Sequence, residues 1–425
     1  MLSTPTMAQQ ETEGAQAGSN QEAADGQSGD SEEAAEEARR SARGLGGPFS
    51  VGGQLDEDNE IRGLKHRLPG FDKLLDPWFD WKSRIRERHG LSLGIDYSAL
   101  YQGASASLSN EDDAASGAFR IFGQWTLVGR DDENNWGRLI FKVENRHTLG
   151  TELAPSELGF EVGYLGVTGT AFNGLGTILS DLSWQQQFNN GASALLAGRF
   201  DPSDYMGISG YGNPWTTFSN VAILLNTSIA LPDLGLGVGL GHHFGKQKWN
   251  LSGIVSDANA LLDEVEFFEG GAEFFAEATL SWSPSRAERF LNNMNLMVWH
   301  VDERATAGVP ESEGVALAAN WTFNKLWMPF GRLGWSDGGA TLANKTATAG
   351  FLRRFALADL FGLGFNWSDP PDPELREQMT LEIFYRIQVA QNLALTPSFQ
   401  LLIDPANNPD EDQIRVLGLR LRATL

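Results

Sequence analysis

The stretch that decides the fold closes the chain: Leu417-Gly418-Leu419-Arg420-Leu421-Arg422-Ala423-Thr424-Leu425. Extended chain points successive side chains to opposite faces. One face of this segment is therefore Leu417, Leu419, Leu421, Ala423 and Leu425, and the other carries two guanidiniums. A soluble sandwich shows such alternation in a strand or two. Here it recurs along most of the chain.

Leu91, Leu93, Ile95, Tyr97, Ala99 and Tyr101 oppose Ser92, Gly94, Asp96 and Ser98. Phe119, Ile121, Trp125 and Leu127 oppose Arg120, Gln124 and Thr126. Leu139, Phe141 and Val143 oppose Arg138, Lys142, Glu144 and Arg146. The pattern continues through Leu234–Leu240, Phe274–Trp282, Val315–Phe323 and Met379–Val389. Turn-forming clusters separate the runs: Arg130–Asn135, Asn189-Asn190-Gly191, Pro232-Asp233, Ser336–Gly339, Asp369–Pro373 and Asp404–Asp412. The runs number sixteen or seventeen. Because bacterial barrels have even strand numbers, about 16 is expected, with Met294–Val301 the doubtful one.

A lipid solvent explains the recurrence better than a soluble core. Trp125, Trp184, Trp282, Trp321, Trp327, Trp335, Trp367, Tyr97 and Tyr101 fall near strand ends, as in the interfacial girdles of membrane barrels. Mean hydropathy is −0.27, too polar for a helical membrane protein. The most apolar stretch, Val221–Leu240, is broken by Asn226, Thr227, Pro232 and Asp233. The expected fold is all-β: a transmembrane antiparallel up-and-down β-barrel over residues 91–425.

The rest of the chain is different in kind. Residues 1–60 carry thirteen acidic residues against three arginines and almost no aromatics, so they read as a disordered acidic tail. Met1–Ala8, followed by Gln9, looks like the end of a signal peptide, with Thr6-x-Ala8 fitting a small-x-small cleavage pattern. Residues 61–90 read as a linker and a short amphipathic helix, with Asp76 as cap, Pro77 in the first turn, Gly90 as stop, and Trp78, Trp81 and Ile85 as its stripe. A net charge of −23 argues against nucleic acid as a partner. The absence of cysteine is compatible with export.

Parity turns Arg120, Arg138, Lys142, Glu144, Arg146, Arg199, Arg332, Glu382, Arg386, Arg420 and Arg422 toward the barrel interior. Arginine forks and carboxylates suit vicinal hydroxyls, and guanidinium also stacks on flat faces. A subset, with Asp201 and Trp215 from a loop, is expected to line the constriction, Arg199 with Asp201 being the favoured pair. Mutual pairing that stiffens the wall is the alternative use for each of them. No metal or cofactor is expected: His242 and His243 are adjacent and face opposite sides of a strand, and there is no cysteine. The glycines between Leu234 and Gly241 alternate in a strand and are small lumenal positions, not a phosphate cradle.

Three segments resemble the carbohydrate-selective porins of the OprB family over roughly residues 76–425. They are Gly198-Arg199-Phe200-Asp201-Pro202-Ser203-Asp204-Tyr205 followed by Tyr211-Gly212-Asn213-Pro214; Asp80-Trp81 with Arg86 and His89-Gly90; and Val416–Arg422. Two positions depart from the pattern: Lys82 and Ser83 replace paired glycines, and Leu425 replaces a terminal aromatic. The resemblance implies a sixteen-stranded outer-membrane channel that admits sugars by passive, substrate-preferring diffusion. It also implies outer-membrane lipid as surroundings, the barrel assembly machinery as an insertion partner, and a monomer or homotrimer. The rivals are a porin for another solute class such as organic acids, a non-conducting barrel whose acidic tail is the working part, and an outer-membrane hydrolase. The last would use His147 or His300 as base, and neither stands beside a nucleophile motif.

Overall fold

A computed structural model describes residues 45–64, 66–207, 209–266, 268 and 271–425. Sixteen strands form one closed antiparallel sheet in which each strand pairs with its sequence neighbours and β1 (Leu91–Ala104) pairs with β16 (Gln413–Thr424). In order the others are β2 Asp113–Val128, β3 Trp136–Thr148, β4 Gly176–Phe188, β5 Ser193–Phe200, β6 Gly235–Phe244, β7 Trp249–Asp257 and β8 Phe274–Trp282. They continue as β9 Asn292–Val301, β10 Ser312–Trp321, β11 Trp327–Ser336, β12 Lys345–Arg354, β13 Leu360–Asp369, β14 Gln378–Ala390 and β15 Leu393–Ile403. Closure leaves no sheet edge, which is what a backbone inside hydrocarbon requires. The even count and up-and-down order agree with the sequence reading. Met294–Val301 is a genuine strand, within β9, with both neighbours paired.

The two faces separate as parity demands. Leu240, Leu251, Met294, Val298, Leu333, Leu417 and Leu419 are exposed on the outside, whereas Asp96, Arg120, Glu144, Glu382, Arg420 and Arg422 are buried inside. At the strand ends nearest the chain termini, the outer surface carries clustered aromatic rings. Trp282 lies 6.1 Å from Trp321, and Trp327, Phe351 and Phe361 form a run with centroid separations of 5.3 and 5.8 Å. This is the interfacial girdle expected of an outer-membrane barrel. No described helix is long and apolar enough to cross a membrane, so the strands do the crossing.

Connections at the end bearing the termini are short: 129–135, 189–192, 245–248, 283–291, 322–326, 355–359 and 391–392. By the rule for such barrels this is the periplasmic end. The opposite end carries two long connections, 149–175, which includes the short helix α3 (Pro155–Glu161), and 201–234; both turn into the barrel and lock together. The Val221 amide donates to the Val167 carbonyl at 2.9 Å and the Thr170 amide to Ser219 at 2.8 Å.

The N-terminal side departs from expectation. The signal-peptide remnant 1–8 and the tail as far as residue 44 lie outside the described residues. Residues 45–60, however, are not a featureless tail. Helix α1 (Val51–Arg62) is capped by Ser50, whose hydroxyl accepts from the Gly53 amide, and it buries Val51, Gln54, Leu55, Asp58 and Ile61. The following helix, α2 (Pro69–His89), starts eight residues before Pro77, at Pro69, and keeps Pro77 inside. It stops at Gly90 as expected, in the left-handed conformation (φ 70°) that glycine adopts at least cost. Lys82 donates to the Leu425 carbonyl at 2.7 Å and the Trp125 indole donates to the His89 carbonyl at 3.0 Å, so α2 lies along the periplasmic rim. Between the helices Arg67 forks onto Asp359 in the β12–β13 turn, donating at 2.6 Å, and the Leu68 amide donates to the Val389 carbonyl. Burial alone would raise the Asp359 carboxyl, but the Arg67 fork, the Gln388 amide and the Tyr385 hydroxyl hold it below its ordinary range.

The outward face sets a testable cost. Leu240→Arg or Leu419→Arg places a charge against hydrocarbon and is expected to lower unfolding stability in phospholipid vesicles by about 2–4 kcal/mol at mid-depth. Urea titration of the refolded barrel measures this, and a neutral result at both sites contradicts a lipid-facing surface.

Candidate functional site

The site is the barrel interior, and it is far from empty. Asp204, Ser219, Asn220 and the one-turn helix α4 (Val221–Leu224) of the 201–234 connection lie buried within it, and α1 enters from the periplasmic side. Lumenal charges supply the anchors. Glu382 on β14 accepts from the Ser219 and Asn220 amides at 2.7 and 2.9 Å and from the Ser219 hydroxyl at 2.8 Å. Arg332 donates to the Ala222 and Leu224 carbonyls at the end of α4, at 3.0 and 3.2 Å. Arg420 holds the Pro214 and Thr217 carbonyls at 2.5 and 2.6 Å. A buried guanidinium is costly to leave unpaired, and these loop carbonyls accept from the terminal nitrogens of both arginines.

Helix α1 meets the same wall through its acids. Arg386 donates to Glu57 at 2.9 Å, and Arg422 donates to Asp58 at 2.8 Å and to Asp96 at 3.0 Å. Arg120, fully buried, donates to Asp96 at 2.7 Å and to Gln54 at 2.8 Å while its guanidinium lies 3.8 Å from the centre of the Trp215 ring. Asn213 and Thr216 also donate to Glu57, so α1 and the 201–234 connection are tied to each other across the lumen. Leu45, ahead of α1, sits in a notch left by Gly241 on β6, where a β-carbon would come within 2.2 Å of the leucine. Burial opposes charge on Glu57, but Arg386, with Arg422 and Arg354 behind it, outweighs this and holds the carboxyl below its ordinary 4.5.

The remaining residues named by parity also point inward. Lys142 meets Asp204 at 3.1 Å, Arg146 donates to Glu144 at 2.7 Å, and Arg138 donates to Gln185 at 2.9 Å and lies over Trp136. The favoured pair does not form. Arg199 donates to the Leu179 and Leu261 carbonyls at 2.8 and 3.1 Å, while Asp201 accepts from the Ser203 amide and caps a 3₁₀ turn. Position 200 ends β5, so the chain has already turned away before the carboxylate could face its neighbour. Of the two candidate bases, His147 bonds Tyr97 and Asn145, and His300 meets Asp302 and Glu311. None of these contacts is to a serine hydroxyl.

The space left between these parts is concentrated along β5–β11. One cavity of about 690 Å³, counting volume open to solvent, is lined by Met206, Leu225, Ile229, Asn226, Asn295, Met297 and Arg332 among others. A second, of about 650 Å³, reaches the periplasmic mouth and shares Gly207 and Asn295 with the first. A smaller one of about 290 Å³ lies beside α1, between Asp58, Trp215, Arg386 and Arg422. The sequence reading missed Asn293, Asn295, Met297, Arg286 and Arg289. The first three belong to the strand whose pattern was doubtful, and the two arginines sit in a turn where parity does not apply.

Comparison with known proteins bears on the fold. The carbohydrate-selective porin, OprB family, model matches residues 315–425. The high-pH structure of Pseudomonas putida OprB superposes with a TM-score of 0.65 at 13% identity, covering 82% of this chain and 97% of that one. The low-pH structure of the same protein gives 0.49 at 11% identity over 82% and 97%. A triple mutant of Rhodopseudomonas blastica porin gives 0.45 at 14% over 79% and 100%. No curated protein sequence matches. The fold is a closed sixteen-stranded barrel like that of the high-pH Pseudomonas putida OprB structure. Within that fold, strands β10–β16 carry the match to the OprB carbohydrate-selective porins.

Because α1 is held by ion pairs, its release is measurable. Glu57→Gln with Asp58→Asn removes its partners on Arg386 and Arg422 and is expected to raise single-channel conductance about twofold. Stabilisation from Glu57 is complete above its ordinary 4.5 and is lost only as pH falls through its lower folded value. Wild-type conductance is therefore expected to stay level from about pH 8 to about pH 5 and to rise only as pH falls below 4.5. A conductance unchanged by the double substitution contradicts this role for the helix.

Proposed function

We propose that the protein is an outer-membrane channel through which sugars diffuse passively into the periplasm. The observation that carries this reading is the pair of adjacent cavities along β5–β11, left where inward-folded segments fill the rest of the barrel. The walls have the mixed character that a sugar needs. Met206, Met297 and Ile229 offer apolar surface to C–H faces, while Asn226, Asn295 and Arg332 offer amides and a guanidinium to hydroxyls. Weak, multi-site contacts of this kind allow release as well as entry. The family match over β10–β16 supports sugars over other solutes.

Lumenal arginines act in this reading chiefly as fasteners. They set the bore by fixing the 201–234 connection and α1, and Arg332 alone among the parity-named residues also faces the larger cavity. Arg386, Arg422 and Trp215 face the smaller one. A channel of this construction needs no cofactor.

Liposome swelling with the purified chain tests the proposal. Glucose and maltose are expected to enter faster than uncharged non-sugar solutes of equal size, and Asn295→Leu is expected to reduce the glucose rate several-fold while sparing small ions. Glucose entering no faster than a size-matched inert solute contradicts sugar preference, and no swelling with any solute contradicts a channel.

A further inference from the structure

At the periplasmic end of the wall the outward strand positions are mostly apolar or aromatic, Trp249, Trp282, Trp321, Trp327 and Phe361 among them. Arg353, at the end of β12, breaks that rule. It pairs with Trp327 across the β11–β12 ladder and with Phe361 across β12–β13. Among the described residues it is the only lysine or arginine at an outward strand position at this end. Its guanidinium lies 4.6 Å from the centre of the Trp327 ring and 4.5 Å from that of Phe355. The rings cover its faces and leave its edge unmet: no nitrogen of Arg353 bonds or pairs with a described residue. That separates it from the arginines of the lumen. Arg332, Arg386 and Arg420 also have an idle Nε, but their terminal nitrogens are spent on carbonyls and a carboxylate. The acids that reach this turn are taken as well, Asp359 by Arg67 and Tyr385, and Glu60 by Arg354. The Trp327 indole N–H, on a residue 38% exposed, likewise donates to no described residue.

An aromatic ring meets a guanidinium face to face and leaves the in-plane N–H groups to find acceptors elsewhere. At the height of an aromatic girdle those acceptors are lipid headgroups, and a guanidinium fork matches two oxygens of a phosphate. With no carboxylate on it, Arg353 keeps its whole charge. It therefore favours a headgroup of net negative charge over a zwitterionic one, whose own ammonium competes for the phosphate. We propose that Arg353, held between Trp327 and Phe355, binds the phosphate of an anionic phospholipid in the periplasmic leaflet, with the Trp327 indole as a second donor. The site lies on the lipid side of the wall and is independent of what passes through the lumen. The turn beside it carries Asp359, through which Arg67 anchors the linker between α1 and α2, so lipid and linker grip the same turn.

The test uses the full chain refolded in dodecyl maltoside, a neutral detergent. Phosphatidylglycerol and phosphatidylcholine are titrated separately, and native mass spectrometry counts the lipids retained. The first phosphatidylglycerol is expected to bind about fivefold more tightly than the first phosphatidylcholine, the scale of one basic residue at an anionic surface. Arg353→Gln is expected to abolish that difference, and Arg353→Lys to keep part of it, because an ammonium has the charge without the fork. Trp327→Phe keeps a ring and removes the N–H, and is expected to weaken phosphatidylglycerol binding about twofold, as the loss of one modest hydrogen bond does. Arg415→Gln removes an outward arginine at the other end of the wall, on β16, and is expected to leave the preference unchanged. Excess inorganic phosphate is expected to leave it unchanged too, since a free anion gains nothing from the rings. Equal binding of the two lipids, a preference that survives Arg353→Gln, an equal loss in Arg415→Gln, or displacement of the lipid by inorganic phosphate overturns the proposal.

Discussion

Hydrocarbon offers no partner to an amide or a carbonyl, and the rest of this structure follows from that. Sixteen strands satisfy their backbones only by closing, with Asp96–Ala104 laid against Val416–Thr424. Closure makes parity absolute: leucines such as Leu417 and Leu419 go to lipid, and Arg420 and Arg422 go inside. The interior then inherits an excess of buried charge that must be paired. Loop carbonyls, the acids of α1 and a few wall carboxylates meet that need, so the filling of the lumen is a consequence of how the wall is built.

This explains why one side of the barrel is packed and the other is not. Strands β14, β16 and β2 carry Glu382, Arg386, Arg420, Arg422 and Arg120, and against them sit the 201–234 connection and α1. Strands β6–β10 present glycines, serines, asparagines and methionines, which among the described residues hold no inserted segment by an ion pair. Gly241 goes further and gives up its side-chain volume to Leu45. Solute space survives where the wall has little to fasten with.

The barrel was legible in the sequence because lipid enforces a strict period of two, and sixteen strands repeat it. β9 blurred the pattern because Met297, Trp299 and Val301 face inward yet are apolar, packed with Phe275 and Met206 in the interior core. Helix α1 was hidden for a related reason. Its apolar residues are few, and Glu57 and Asp58 resemble the acidic run before them. What makes it a helix in place is Arg386 and Arg422, more than three hundred residues away in sequence. The inward set of charges was likewise readable, but their use was not. Parity says which way Arg199 points and nothing of the Leu179 and Leu261 carbonyls waiting for it. Arg286 and Arg289 escaped because they lie in a turn, where no period constrains them.

The chain has no cysteine, so single cysteines can be placed one at a time at positions 416–424 and spin-labelled in the vesicle-inserted barrel. Collision with oxygen, which partitions into lipid, and with a water-soluble nickel chelate reads each face separately. The account predicts strict alternation, oxygen reaching 417, 419, 421 and 423 but the intervening positions poorly. Labels that are equally accessible along the segment, or alternation with Arg420 and Arg422 on the oxygen side, would contradict the two-sided closed wall.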